Sequence, residues 1–223
     1  MPTPGFPPNT LDSEGAPIWI SELATDDPNH ILHVVRGIEP AEALKVLGAN
    51  PALFQPCILP EAKPDEWTSL PCAALGIEPG TAAALLAGQI GQWTFIYDDS
   101  GYTYNDKATK ALSGDGRTAA ASVYTINGDA TLTYAVDGEQ IAWINIDDLA
   151  LDEDILGVPA ELSSAFEAAG VVETDDYEPG EVDGMITMRA VCALADLQCT
   201  MEDIRRVPLL VVPLDGRSSE ERS

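Results

Sequence analysis

Positive charge is what this sequence has least of. Across 223 residues, 11 Lys and Arg face 37 Asp and Glu, a formal net charge of −26 with histidine neutral. Nucleic-acid phosphates are recognised by clustered Lys and Arg that release counterions, so this balance argues against nucleic-acid binding. It argues equally against an anionic membrane surface. Long apolar runs are missing as well. No window reaches the roughly 18 consecutive apolar residues of a membrane span, and "MPTPGFPPNTLDSEGAP" has neither a basic n-region nor an apolar h-region. No secretory leader is therefore expected, and the cytoplasm is the expected compartment. Cysteine is sparse: Cys57, Cys72, Cys192 and Cys199 make no Cys-x-x-Cys pair. Without export signals, buried free thiols are expected rather than a disulfide framework. Were Cys192 and Cys199 in one helix, they would stand about 10 Å apart, beyond disulfide reach.

Reactive motifs are equally scarce. His30 and His33 are the two histidines. In a strand their odd spacing sends them to opposite faces, which disfavours a two-histidine metal site, and no His-Glu-x-x-His or Gly-x-Ser-x-Gly occurs. "GDGRTA" (114–119) follows an expected helix and precedes an expected strand, the reverse of the order a phosphate cradle needs. "DLALDEDILG" (148–157) places Asp152, Asp154 and Gly157 at the first, third and sixth positions of a calcium loop. Leu156 and Ser163 then fall where the fifth and twelfth oxygens belong, so the ion would be poorly coordinated. No cofactor, metal site or catalytic residue is assigned.

What is present is a globular chain. Its 45% apolar content suits a folded core. The first 17 residues carry five prolines and read as a disordered tail, as do residues 215–223, leaving a single domain over 18–214. "HILHVVRG" reads as a strand. "GIEPAEALKVLGANP" reads as a helix, with Pro40 in its first turn and Gly48 past its end. Pro51, Pro56, Pro60, Pro64 and Pro71 make 51–80 a long connection or insertion with at most a turn of helix. Residues 82–88 read as a strand or irregular lead-in to a firm strand at 93–97. "YNDKATKALSGDG" reads as a short helix capped by Asn105 or Asp106. "RTAAASVYTING", "ATLTYAVDGE" and "QIAWINID" form an antiparallel meander whose Asn-Gly and Asp-Gly turns tolerate positive φ. "VPAELSSAFEAAG", "MITMRAVCALADLQC" and "TMEDIRR" read as helices, and "VPLLVVPL" as an edge strand because of its prolines. The expectation is α+β: an antiparallel sheet of about five strands with helices packed on it and a helix-rich C-terminal third.

"VVRG" with "EPAEALKVLGA", the segment from Trp93 to Gly101, and "ALSGDGRTAAASVY" followed by an aromatic strand resemble an uncharacterised actinobacterial family, a domain of unknown function. The resemblance covers roughly 30–150 and implies a fold. It brings no activity and no site residues.

Two acidic features remain. Asp98 and Asp99 are adjacent at a strand end and so point to opposite sides, unlike a glycosidase pair facing across a cleft. Trp93, Tyr97, Tyr102 and Tyr104 nearby could form a sugar platform, and a small-molecule hydrolase using Asp98 or Asp99 is the alternative reading. The larger feature lies between Arg117 and Arg189, where 71 residues contain no Lys or Arg and 16 acids. The acids concentrate at Asp147, Asp148, Asp152, Glu153 and Asp154, and again at Glu173, Asp175, Asp176, Glu178, Glu181 and Asp183, with Tyr177 among them. Such a run suits capture of a basic protein. The leading expectation is a non-enzymatic, acidic protein-binding module, with immunity-type inhibition or nucleic-acid mimicry as concrete forms.

Overall fold

The structure is a computed structural model and describes residues 3–26, 29–105, 107–125, 130–145, 157–170 and 185–214. Eight strands lie within them: β1 (His30–Arg36), β2 (Gln55–Cys57), β3 (Ala83–Ile90), β4 (Trp93–Asp98), β5 (Thr118–Tyr124), β6 (Ala130–Val136), β7 (Glu139–Asn145) and β8 (Leu209–Leu214). They form one sheet in the order β2-β8-β3-β4-β1-β5-β6-β7. Every pairing between these strands is antiparallel. The helices are α1 (Ile18–Leu23), α2 (Pro40–Val46), α3 (Leu70–Leu75), α4 (Ala108–Ser113), α5 (Ala160–Ala169), α6 (Ile186–Leu194) and α7 (Met201–Arg206).

The α+β class stands, with two corrections. The sheet has eight strands rather than about five, and α1 to α4 all precede β5, so helices are not gathered in the C-terminal third. The undercount has a physical cause. β3 is Ala- and Gly-rich, and its strand character comes from pairing with β4 on one side and β8 on the other rather than from propensity. β8 is flanked by β2 and β3 instead of standing at the edge. Its Pro213 lies beyond the last residue that pairs with β2, so on that side the missing N–H removes no ladder bond. Residues 51–80 hold the edge strand β2 and the helix α3, the latter capped by the Ser69 hydroxyl and closed by Gly76 at φ 67°. They are woven into the sheet and its covering layer.

The N-terminal stretch is also corrected. Within residues 3–17, Phe6 is buried and the Gly5 N–H donates to the Ala168 carbonyl at 2.9 Å. The Asp12 carboxylate accepts from the Glu14 and Ala16 N–H groups and from the Ser21 hydroxyl, tying the loop to α1. Prolines limit this segment's freedom, and one aromatic anchors it to α5 and the core. Residues 215–223 lie outside the described residues.

β1 is the hinge of the design. Leu32 and Val34 face a core shared with Phe95, Tyr97, Leu132, Tyr134, Trp19, Phe166 and Met188. Val35 faces a second core with Leu85, Ile96, Leu44 of α2 and Leu112 of α4. A strand covered on both faces reads as a continuous apolar run, as "HILHVV" does. Between its strand partners Phe95 and Leu209, Gly88 of β3 has no room for a side chain. A Cβ on Gly88 would lie 2.7 Å from the Phe95 ring and 2.8 Å from Leu209 Cδ2. Gly88→Ala is therefore expected to lower stability by about 1–3 kcal/mol through overpacking, read as a shifted urea midpoint with an unchanged slope. A midpoint equal to wild type would contradict this packing.

Candidate functional site

At the end of β4 the carboxylate of Asp98 is fully buried and accepts four hydrogen bonds. Ser100 donates its N–H (2.9 Å) and hydroxyl (2.7 Å) to Oδ1. Thr103 donates its N–H (2.7 Å) and hydroxyl (2.8 Å) to Oδ2. A short polar side chain bonding to backbone a few residues on is what turns a chain sharply. Here it fixes the 98–103 turn. Because the Thr103 hydroxyl proton is committed to Asp98, its oxygen must accept from His33 Nε2, 2.9 Å away. The network thus assigns His33 the Nε2–H tautomer and leaves Nδ1 as an acceptor. That Nδ1 is buried and has no partner. Burial lowers the His33 pKa from 6.5 to about 4, outweighing the opposing pull of Asp98, so the ring is neutral near pH 7.

His33 begins a row across the sheet. It pairs with Ala121 of β5, Ala121 with Thr133 of β6, and Thr133 with Trp143 of β7. All four line a cavity of about 410 Å³. Its opposite wall includes Thr103 and Tyr104 from the Asp98 turn and Thr109 and Lys110 from α4. The methyl of Ala121 is too small to fill the gap between His33 and Thr133, which opens the space. Tyr104 and Trp143 stand at its mouth, 65% and 51% exposed.

Asp99 points the other way. It lines a separate cavity of about 200 Å³ with Trp67, Ser69 and Cys72. Burial, reinforced by the charge of Asp98 and opposed by the Ser69 hydroxyl, raises its pKa to about 6. The two aspartates therefore do not converge on one substrate atom. His30 lies on the opposite sheet face from His33, with Nδ1 2.7 Å from the Tyr97 hydroxyl, and lines a third cavity of about 580 Å³ beside Asp12 and Lys63. Burial lowers its pKa to about 4 as well. Among the described residues no group of three or more His, Cys, Asp or Glu is placed to hold a metal ion. All four cysteines are free thiols.

The acidic residues singled out from sequence, Asp147, Asp148, Asp152, Glu153, Asp154, Glu173, Asp175, Asp176, Tyr177, Glu178, Glu181 and Asp183, all lie outside the described residues. So do Leu156 and the aspartates of the near-calcium loop. The His33 cavity escaped sequence reading because strand register, which sequence alone leaves open, brings its four floor residues into line. The available signals were the Thr-x-Thr of β6, the alanine run of β5, and a Ser and a Thr two and five residues after Asp98.

The family model of DUF6461, a family of unknown function, matches residues 17–200. The chain belongs to DUF6461. No curated protein and no solved structure matches it. The DUF6461 match takes in every element from α1 to α6 and hence the whole His33 cavity. No helix among the described residues is long and apolar enough to cross a membrane.

Two predictions follow from this geometry. Asp98→Asn replaces one acceptor oxygen by a donor that must face the Thr103 or Ser100 donors, so it is expected to cost about 2–3 kcal/mol. Urea denaturation tests this, and a loss below about 0.5 kcal/mol would show that the turn does not rest on the carboxylate. The second concerns pH. Each histidine binds its proton more weakly folded than unfolded, so its contribution to stability is complete above about pH 6.5 and is lost as pH falls toward 4. Asp99 acts in the opposite sense: its contribution is complete below about 3.8 and is lost as pH rises through about 6. Between about pH 4 and 6 two histidines outweigh one aspartate by a single proton. These groups together then remove about 1.4 kcal/mol of stability per unit of acidification. Histidine ring NMR should show both rings neutral at about pH 5.5, and a folded-state titration near 6.5 would contradict the burial.

Proposed function

We propose that this DUF6461 chain is a non-enzymatic binding protein whose acidic 147–183 region captures a basic protein partner. The observation that carries the reading is the charge distribution: 71 consecutive residues with 16 acids and no Lys or Arg. Four of those acids, Asp137, Glu139, Glu161 and Glu167, lie in described segments, and all four are exposed. Of these, Glu161 is ion-paired, with Arg36 at 3.3 Å. An uncompensated acidic stretch raises the encounter rate with a cationic surface and rejects anionic ones.

One edge of the sheet supports this reading. Among the described residues β7 is the last strand, and the 147–154 acids follow it directly in sequence. A register shift at Tyr134/Ala135 leaves Ile141 opposite no residue of β6, and Ile141 is 48% exposed. A strand edge with no partner among the described residues suits an extended segment bound through backbone hydrogen bonds. A basic segment is the occupant that the neighbouring charge selects. Inhibition of a cationic toxin or occupation of a nucleic-acid-binding site would each be served by these chemistries.

The test is capture of basic proteins by immobilised chain at low and high salt, comparing wild type with a variant carrying Lys at Asp175, Asp176, Glu178 and Glu181. Capture should be strong only for wild type at low salt, because screening removes surface attraction. Equal capture in all four conditions would remove the reading.

A further inference from the structure

We propose that the His33 cavity is a binding site for a neutral saccharide, which stacks on Trp143 and hydrogen-bonds to the side chains of Thr131, Thr133 and Gln140.

The floor is built and incomplete. His33 is only 2% exposed, its Nε2 is held by Thr103, and its Nδ1 has no partner. That nitrogen is closed to solvent, so a ligand meets the rest of the lining instead. Around it, Thr109, Thr131, Thr133 and Gln140 line the same space, and none makes a side-chain hydrogen bond to another described residue. Hydroxyls and amides both donate and accept, as sugar hydroxyls do. Thr103, by contrast, is already engaged and serves as the rigid support that orients the imidazole.

The aromatic rim and the charge narrow the ligand class. Trp143 and Tyr104 offer amphipathic rings half or more exposed at the mouth, suited to the apolar C–H face of a pyranose. In a chain with 37 acids, no carboxylate is among the described residues lining this cavity, and Lys110 is the one cation among them. A single exposed lysine is a weak site for a phosphate ester, whereas a neutral polyol needs no counter-charge. The volume of about 410 Å³ falls within the range of small-molecule sites.

Sugar binding by these residues survives or fails separately from capture of a basic protein. Calorimetric titration of the full chain with glucose, galactose, mannose, maltose and cellobiose should give saturable binding for at least one. Trp143→Ala, at an exposed position, should weaken it tenfold or more. Ala121→Leu, which fills the floor beside His33, should abolish it. No saturable binding by any of the five sugars would overturn the proposal. So would affinity unchanged in Trp143→Ala, or binding of adenosine or inorganic phosphate in place of a sugar.

Discussion

A single carboxylate organises the middle of this fold. Asp98 ends the strand next to β1, is wholly buried, and gathers four donors from two residues of the turn that follows it. A charge in that position is tolerable because its lone pairs are filled by hydrogen bonds rather than by a cation. The turn it creates carries Thr103 over His33 and Tyr104 to the cavity mouth. The tautomer of a central-strand histidine is thereby set from a strand end. Its neighbour Asp99, with fewer donors and a different cavity, is pushed toward neutrality instead, so adjacent identical residues acquire different chemistry from their surroundings.

The sparse cations have a structural pattern of their own. Arg117 donates to the Leu112 carbonyl, Arg205 to the Pro60 and Glu61 carbonyls, and Lys63 to the Ala24 carbonyl. Arg36 lies 5.0 Å over the Trp93 ring while donating to Thr118 and Glu161. Arg36, Lys63 and Arg117 thus pin loops and helix ends to the sheet while each also pairs with one carboxylate, of Glu161, Asp26 and Asp115 respectively. The negative field outside is left largely uncompensated, which is the physical ground for reading this as a protein that attracts cationic surfaces.

Much of the fold was legible where local chemistry and tertiary demand agree. Pro40 and Gly48 bracket α2, Thr200 and Asp203 form a reciprocal cap on α7, and Asp137–Gly138 turns β6 into β7 with positive φ at both residues. In β6 Leu132 and Tyr134 are buried and alternate with half-buried Thr131 and Thr133, although the pattern breaks at buried Ala135 and half-buried Val136. Legibility failed where pairing rather than composition decides. β3 has the composition of a helix and is held extended by neighbours on both sides, while β2 is three residues long and contains a proline. The candidate site failed for the same reason: His33, Ala121, Thr133 and Trp143 come from four strands, and their alignment is a property of register. Asp98 drew attention as a carboxylate at a strand end, and the four donors around it, which sequence does not display, make it the organiser of a turn.

Arg189 closes the acid-rich run and lies almost fully buried, donating from Nε to the Ala169 carbonyl and from Nη1 to the Gly15 carbonyl. One guanidinium thereby clasps the end of α5, the body of α6 and the N-terminal loop. Clipping the chain ahead of α1 would strip an acceptor from an interior cation and loosen the two helices between which residues 171–184 are strung. The leading segment, far from being dispensable trimming, is the strap that holds the attachment points of the most acidic stretch in register with the sheet.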